Sequence, residues 1–349
     1  MNIDILTAGE QKELERLIAE GDRIVVCAHQ NPDGDAVGAC LGLTALLRSR
    51  GKKASIVLPD FFPDYLKWMP HANDILIFER QQEEAKRLFE EADLMFCLDF
   101  NSPDRLADMA PLLDISDARR VMIDHHPDPE MPVDFGISHP EMSSTCELLF
   151  RIVWQMGWFA QQESDFAVPV YCGMMTDTGG FQYNSNSPDI YFIICQLLTK
   201  GIDKDKIYRN VFNNYSYDRM RLLGFVLYRR LKYVPEKGVA YFILNKGDLA
   251  GFHFTKGDLE GVVNMPLQIK GTRLSMSFRE DSEKKDTIWV SLRSVDDFSC
   301  TEFAQKHFNG GGHLNASGGK LYCKIYEVEP IVLNAISELP DVQLPDNSQ

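Results

Sequence analysis

The chain predicts an α/β protein: an N-terminal, doubly wound, mostly parallel sheet, then a helical connector, then a smaller α/β domain. Three observations carry that expectation. Short apolar runs alternate with stretches of helical period through the first half, as when strands and crossover helices take turns. Beyond about residue 232 the pattern changes to short β-prone runs separated by turn-rich stretches. At 349 residues the chain also exceeds what one core usually serves. The expected division is an N-terminal domain at 1–187, a helical linker at 188–231, a second domain at 232–340 and a polar tail at 341–349.

Taken in order, residues 10–20 read as a helix and 23–28 as a strand, followed by a loop through Pro32 and Gly34. From Asp35 to Arg50 apolar residues recur at helical spacing, with Gly51 as a stop. Further strands are expected at 53–58, 74–78, 93–98 and 120–123, with helices at 81–91 and 143–157. Ser143-Ser144-Thr145 offers hydroxyl caps for the second of these helices. The segment 163–178 reads as another helix, ended by Gly179-Gly180, and 188–231 is helical and charged. In the second half, strands are expected at 239–244, 273–278 and 287–292, and a last β-prone run follows the glycine-rich segment 310–319.

No apolar run is long enough to span a bilayer, and no charged N-terminus precedes a signal-type apolar core. The expected location is therefore the cytoplasm, with no membrane partner. Eight scattered cysteines without a C-x-x-C pair predict buried, reduced thiols rather than a disulfide framework. A net charge of −15 disfavours loose binding to long nucleic acids, which depends on phosphate neutralisation. It leaves room for a short phosphorylated substrate. Charge is uneven, however: 200–232 holds nine basic residues (Lys200, Lys204, Lys206, Arg209, Arg219, Arg221, Arg229, Arg230, Lys232) against Asp203, Asp205 and Asp218. A solvated helix face and a substrate-facing one both fit that pattern.

The chemistry-bearing residues cluster where strands should stop. His29, Asp33 and Asp35 follow one apolar run, Asp99 a second and Asp124-His125-His126 a third, while Asp177 ends the apolar helix. In an open parallel sheet, ligands gather outside the carboxyl ends of the strands, so residues far apart in sequence meet there. That predicts a dinuclear metal site. Imidazoles mixed with carboxylates suit Mn²⁺ better than an all-oxygen cage for Mg²⁺ or Ca²⁺, and the lack of thiolates argues against structural zinc. Asp99 is the candidate to bridge two ions, against the plainer role of capping a short helix near Pro103. Asp124 is either a ligand or, preferred here, an acceptor that orients a ligating imidazole. Asp177 at a helix C-terminus is unfavourable for the dipole unless a cation compensates.

A second element, Asn309-Gly310-Gly311-Gly312-His313 through Ala316-Ser317-Gly318-Gly319, has glycines that let a phosphate approach exposed N–H groups, with His313 as a further donor. It is not a P-loop, since no Gly-Lys-Ser/Thr follows. Arg293, at the end of an expected strand, offers a guanidinium for bidentate phosphate recognition.

His29-x-x-x-Asp33-Gly34-Asp35, Asp99, Asp124-His125-His126 and Thr176-Asp177-Thr178-Gly179 resemble the successive motifs of the DHH phosphoesterase superfamily. The glycine-rich segment resembles the signature of the DHH-associated C-terminal domain. The motifs span 29 to 319 in family order, and the architecture is similar to the branch of bifunctional oligoribonucleases (nanoRNases) and 3′-phosphoadenosine 5′-phosphate (pAp) phosphatases. The resemblance implies a catalytic N-terminal domain in which His29, Asp33 and Asp99 hold one Mn²⁺ and Asp35, Asp99, His125 and Asp177 hold the other, with Mg²⁺ or Co²⁺ as substitutes. It implies that His126, supported by Asp124, faces the scissile phosphate, and that Arg293, Gly311, Gly312 and His313 contact substrate. For Arg105 a phosphate contact is a looser implication. Water, rather than a side chain, would then be the nucleophile. A requirement for both domains would restrict substrates to short RNA oligonucleotides and nucleotides.

A manganese pyrophosphatase or exopolyphosphatase shares the expected metal centre, but a pyrophosphate site should favour several lysines and arginines. A linear or cyclic dinucleotide phosphodiesterase and a non-hydrolysing nucleotide sensor are also compatible with these residues. No obligate protein partner is expected; a homodimer is left open.

Overall fold

The structure is a computed structural model that describes residues 3–255, 257–259 and 261–342. Of the expected tail, 343–349 lie outside the described residues. The chain forms two compact units, 1–214 and 215–349.

In the first unit, α1 (Ala8–Glu20) opens on a capping box: the Thr7 side chain accepts from Glu10 N and Glu10 returns the bond to Thr7 N. Then come β1 (Arg23–Ala28), α2 (Gly34–Ser49), β2 (Lys53–Leu58), β3 (Leu76–Ile77), α3 (Gln82–Glu91), β4 (Leu94–Leu98), α4 (Leu112–Ile115), β5 (Arg119–Asp124) and β6 (Phe135–Ser138). The helices α5 (Thr145–Gln155), α6 (Ser164–Asp177), α7 (Pro188–Leu198) and α8 (Lys204–Phe212) complete it. All strands pair in parallel in the order β3-β2-β1-β4-β5-β6. Strand order reverses between β1 and β4, so the crevice above their carboxyl ends is the natural ligand site of such a sheet. β1 and β4 are buried along almost their whole length, as strands covered on both faces must be.

The short edge strand β6 is absent from the sequence expectation because it buries only Ile137 and so carries no alternating signal. The stretch 188–231, expected as a linker, is divided: Ile190, Ile193, Leu197, Ile207 and Val211 pack into the first unit's core, while Leu222 and Val226 pack with Phe242 and Leu244 in the second.

α2 and α6 approach backbone to backbone. A Cβ on Gly34 would lie 2.3 Å from Thr176 Oγ1, one on Gly38 2.5 Å from the Pro169 carbonyl, and one on Gly42 2.7 Å from Val170 Cγ2. Glycine at every fourth position of α2 therefore makes a groove for α6, and the two helices carry Asp35 and Asp177 together.

The second unit contains α9 (Tyr217–Phe225), a π turn (Val226–Arg230), β7 (Lys232–Val234), β8 (Val239–Leu244), α10 (Lys246–Ala250), β9 (Leu274–Glu280) and β10 (Ile288–Ser294). It continues with α11 (Cys300–His307), β11 (Gly311–His313), β12 (Ala316–Leu321) and α12 (Ile325–Ser337). Its sheet runs β11-β12-β10-β9-β8-β7, antiparallel except for β8 beside β9. The glycine-rich segment is a β-hairpin with Gly311 opposite Gly318 and His313 opposite Ala316. α12 was legible in principle, since Val328, Val332, Ala335 and Ile336 are buried at helical spacing.

Six cysteines are buried free thiols, but Cys195 is exposed and Cys323 half-buried, which departs from the uniformly buried set expected. No helix among the described residues is long and apolar enough to cross a membrane.

Candidate metal centre

Each strand end delivers its side chains to the crevice by a distinct local device. After β1, Asp33 caps α2, its Oδ1 accepting from Asp35 N (3.0 Å) and Ala36 N (3.1 Å). His29 engages the Gln30 carbonyl through Nδ1 at 2.7 Å, which leaves Nε2 aimed at Asp99 Oδ2, 3.4 Å away. After β4, Asp99 takes a left-handed backbone conformation (φ 64°), uncommon for a residue with a side chain, and its N–H donates to the Ile123 carbonyl at 3.1 Å.

Asp99 divides its two oxygens. Oδ2 faces His29; Oδ1 accepts from the Thr145 hydroxyl at 2.9 Å and lies 3.7 Å from His125 Nε2 and 3.8 Å from His126 Nδ1. His125 contacts the Met142 carbonyl through Nδ1 at 3.2 Å, so its Nε2 is turned toward Asp99 and toward Asp177 Oδ2 at 3.5 Å. His126 Nδ1 meets Asp124 Oδ1 at 2.8 Å. Imidazoles tied at one nitrogen present the other in a fixed direction, the usual arrangement of a ligating histidine.

Asp35 is held by the start of α5, where Thr145 N (2.6 Å) and Cys146 N (2.9 Å) donate to its two oxygens. That helix start is itself fixed by Ser144 as cap, Glu147 back on Ser143, and the Glu147–Arg151–Asp189 ion pairs. Sequence reasoning took Ser143-Ser144-Thr145 only as a helix signal and missed Thr145 as a partner of Asp99 and Asp35. Adjacent small polar residues carry no mark of that second use.

Three groups of side chains could each grip one ion, every group with its ligand atoms within 4.8 Å of one another: His29, Asp33 and Asp99; Asp35, His125 and Asp177; Asp99, His125 and His126. All six expected metal-site residues thus converge. The electrostatics fit a cation. Asp35, Asp99 and Asp124 are buried, and Asp124 Oδ2 has no hydrogen-bond partner among the described residues. Burial together with the charges of Asp99, Asp177 and Asp33 pushes the Asp35 carboxyl far above the carboxylate range. Burial, then Asp99 and Asp33, push Asp177 up to about 8. Burial, then the charge of Asp99, raise Asp33, against the opposing pull of His29 and of the Ala36 and Asp35 N–H groups. Asp99 itself is held below the usual range: burial opposes this, but the hydrogen bond and charge of His29, with His125 and His126, outweigh it. His126 is raised because Asp124 and Asp99 overcome the desolvation that disfavours its cation; the nearby Arg105 acts the other way. Mutually repelling acids with few protein cations form a site that divalent ions would neutralise.

Of the other expected residues, Arg105 is half-buried beside this cluster, and its carbonyl accepts from Gln30 N at 2.7 Å. Arg293, Gly311, Gly312 and His313 belong to the second unit. Arg293, opposite Ala316, turns its guanidinium onto the Leu292 carbonyl at 2.8 Å, and His313 is exposed on β11. Several glycines here serve packing. A Cβ on Gly310 would stand 1.9 Å from the Gly318 carbonyl, one on Gly312 (φ 149°) 2.6 Å from the Ala316 carbonyl, and one on Gly319 2.4 Å from the Phe308 carbonyl. Gly311 meets nothing within 4 Å, so packing does not account for it.

Residues 23–174 match the DHH family, N-terminal domain, and residues 236–338 match the DHHA1 domain. A solved structure of an exopolyphosphatase-related protein from Bacteroides fragilis is 46% identical, covers 96% of this chain and 97% of that one, and superposes with a TM-score of 0.91. The chain belongs to the DHH family. It is accordingly a hydrolytic enzyme of the phosphoesterase class. The bifunctional oligoribonuclease and PAP phosphatase NrnA of Thermus thermophilus is 27% identical over 88% of this chain and 89% of its own length. RecJ of Thermus thermophilus in complex with Mn²⁺, 14% identical over 98% of this chain and 57% of that one, reaches a TM-score of 0.53, a likeness of fold.

Proposed function

We propose that this DHH enzyme hydrolyses short oligoribonucleotides to mononucleotides and converts 3′-phosphoadenosine 5′-phosphate to AMP, using two Mn²⁺ ions, for which Mg²⁺ or Co²⁺ can substitute. The observation that carries the reading is Asp99, whose two oxygens face two separate acid–imidazole groups. His29 and Asp33 share one group with Asp99; Asp35, His125 and Asp177 form another, whose His125 Nε2 lies 3.7 Å from Asp99 Oδ1. Two such ions, held by these residues, would supply Lewis acidity and a water of lowered pKa for hydrolysis at phosphorus. His126, whose proton affinity is raised by Asp124 and Asp99, donates from its remaining ring nitrogen to a nonbridging phosphate oxygen, and Arg105 adds a guanidinium beside it. Asp35 and Asp177 hold their positions as anions once metal offsets their repulsion. In the second unit Arg293, His313 and the backbone of Gly311 and Gly312 bind the nucleotide. The names of the NrnA relatives support this choice of substrate.

A second reading, hydrolysis of polyphosphate, is favoured by the description of the Bacteroides fragilis relative. One digest separates them. Short RNAs labelled at either end, 3′-phosphoadenosine 5′-phosphate, pyrophosphate and polyphosphate are each incubated with enzyme and Mn²⁺, with Asp99→Ala as control. The proposal expects mononucleotides and AMP from the wild type only. Phosphate release confined to polyphosphate, or equal turnover by the Asp99→Ala protein, contradicts it.

A further inference from the structure

The basic stretch before β7 does not end as a plain solvated face. Arg229 and Arg230 in the π turn and Lys232 on β7 line a cavity of about 300 Å³ in the second unit. It is lined by the face of β8 that carries Tyr241 and Ile243, and by the N-terminal part of α12 with Tyr326 and Glu329. β7 is the edge strand opposite β11, so this cavity lies at the other end of the sheet from the glycine hairpin.

Its charges are unequally committed. Glu329 is paired with Lys232 and accepts from the Tyr241 hydroxyl at 3.0 Å. Arg230 is paired with Asp248, yet its Nε–H is buried without an acceptor among the described residues. Arg229 has no acidic partner among the described residues; its guanidinium lies 5.2 Å from the centre of the Tyr228 ring. A guanidinium without a counter-ion and a buried donor without an acceptor, on two residues that line one cavity, suit an anion. One lining ring has little to cover it, Tyr326 (69% exposed). An exposed tyrosine beside arginine is a surface on which a nucleobase can stack. The volume is at the lower end for small-ligand sites. One surplus guanidinium suits one phosphate group, not a strand of them.

We propose that this cavity is a second nucleotide site, which takes a nucleoside monophosphate with its phosphate on Arg229 and Arg230 and its base against Tyr326. The site is independent of the reaction proposed above and needs no metal.

The test is hydrogen exchange on the full chain in chelator, with AMP, inorganic phosphate or a dinucleotide of RNA as probe. AMP is expected to slow exchange over 226–232 and 324–330. In Arg229→Ala and in Tyr326→Ala the AMP concentration for half the effect should rise about tenfold or more, with Arg229→Lys intermediate. Any slowing over 311–318 should be the same in all variants, which separates this site from the glycine hairpin. Absence of slowing at 226–232 overturns the proposal, as does an unchanged concentration dependence in both alanine variants. Slowing by phosphate alone at the same concentration refutes the base contact, and slowing by the dinucleotide but not AMP refutes the monophosphate.

Discussion

Gly38→Ala is the perturbation that most sharply connects packing to the metal centre. An alanine Cβ there would sit 2.5 Å from the Pro169 carbonyl, 3.1 Å from Cys146 Sγ and 3.2 Å from Gly173 Cα. Restoring ordinary contact at 3.4 Å needs a displacement of 3.4 − 2.5 = 0.9 Å, against backbone that cannot rotate away. Overpacking of this kind costs about 1–3 kcal/mol, and the helix-propensity gain of Ala over Gly returns about 1 kcal/mol. A net loss of about 1 kcal/mol corresponds to a fall in Tm of about 2–4 °C for a unit of this size. The functional effect should be larger, because α2 also carries Asp35, and tolerance in such a constellation is about 0.5 Å. The assay is a thermal melt with and without Mn²⁺. The variant should melt lower without metal and gain less than the wild type when metal is added. Gly224→Ala in α9, where nothing lies within 4 Å, is the control and should melt no lower than wild type. If Gly38→Ala melts as high as wild type and responds fully to Mn²⁺, the close approach of α2 and α6 is not what positions Asp35.

Thr145→Val removes the hydroxyl that donates to Asp99 Oδ1 at 2.9 Å and keeps the shape and the backbone bond to Asp35; Mn²⁺ affinity measured by calorimetry should fall about 10–100-fold, and an unchanged affinity would deny Thr145 its positioning role. Metal-free stability should depend on pH with a definite sign. Asp177, pushed up to about 8, and Asp35, also raised, keep protons in the folded chain that the unfolded chain releases near pH 4. Their contribution to stability therefore declines as pH rises from about 4 through about 8, and the raised His29 and His126 lose theirs at the upper end of that window. Melts at pH 5, 6.5 and 8.5 in chelator should fall in that order, whereas saturating Mn²⁺, which binds the deprotonated acids, should flatten or invert the trend. A metal-free Tm that climbs across this range would contradict the repulsion described.

What the sequence made legible was decided by period and position. β1, β4 and β5 are continuous apolar runs that stop at polar cargo, so both the parallel sheet and the convergence of His29, Asp99 and His125 could be read from them. Asp177 was legible as an acid misplaced at a helix C-terminus. Thr145 was not, because its bond to Asp99 depends on a crossover between elements far apart in sequence. The Gly34, Gly38 and Gly42 spacing lay in plain view but signals close packing only once α6 is known to lie against it. In the glycine-rich segment the sequence points to Gly311, Gly312 and His313 as ligand-facing; the hairpin adds that Gly310, Gly312 and Gly319 also admit neighbouring backbone, a demand of strand pairing that spacing alone does not announce. The cavity lined by Arg229 and Tyr326 joins residues nearly a hundred positions apart, beyond what charge patterning alone can join.

Asp99 should join two ions in one cage. Titration of chelator-stripped protein with Mn²⁺, read by calorimetry and by the electron paramagnetic signal of bound manganese, tests this most directly. Two bound ions per wild-type chain with mutual magnetic coupling, and loss of the coupled pair in Asp99→Asn, are the predicted results. A single uncoupled ion in the wild type, or an intact coupled pair in Asp99→Asn, would contradict a cage shared through Asp99.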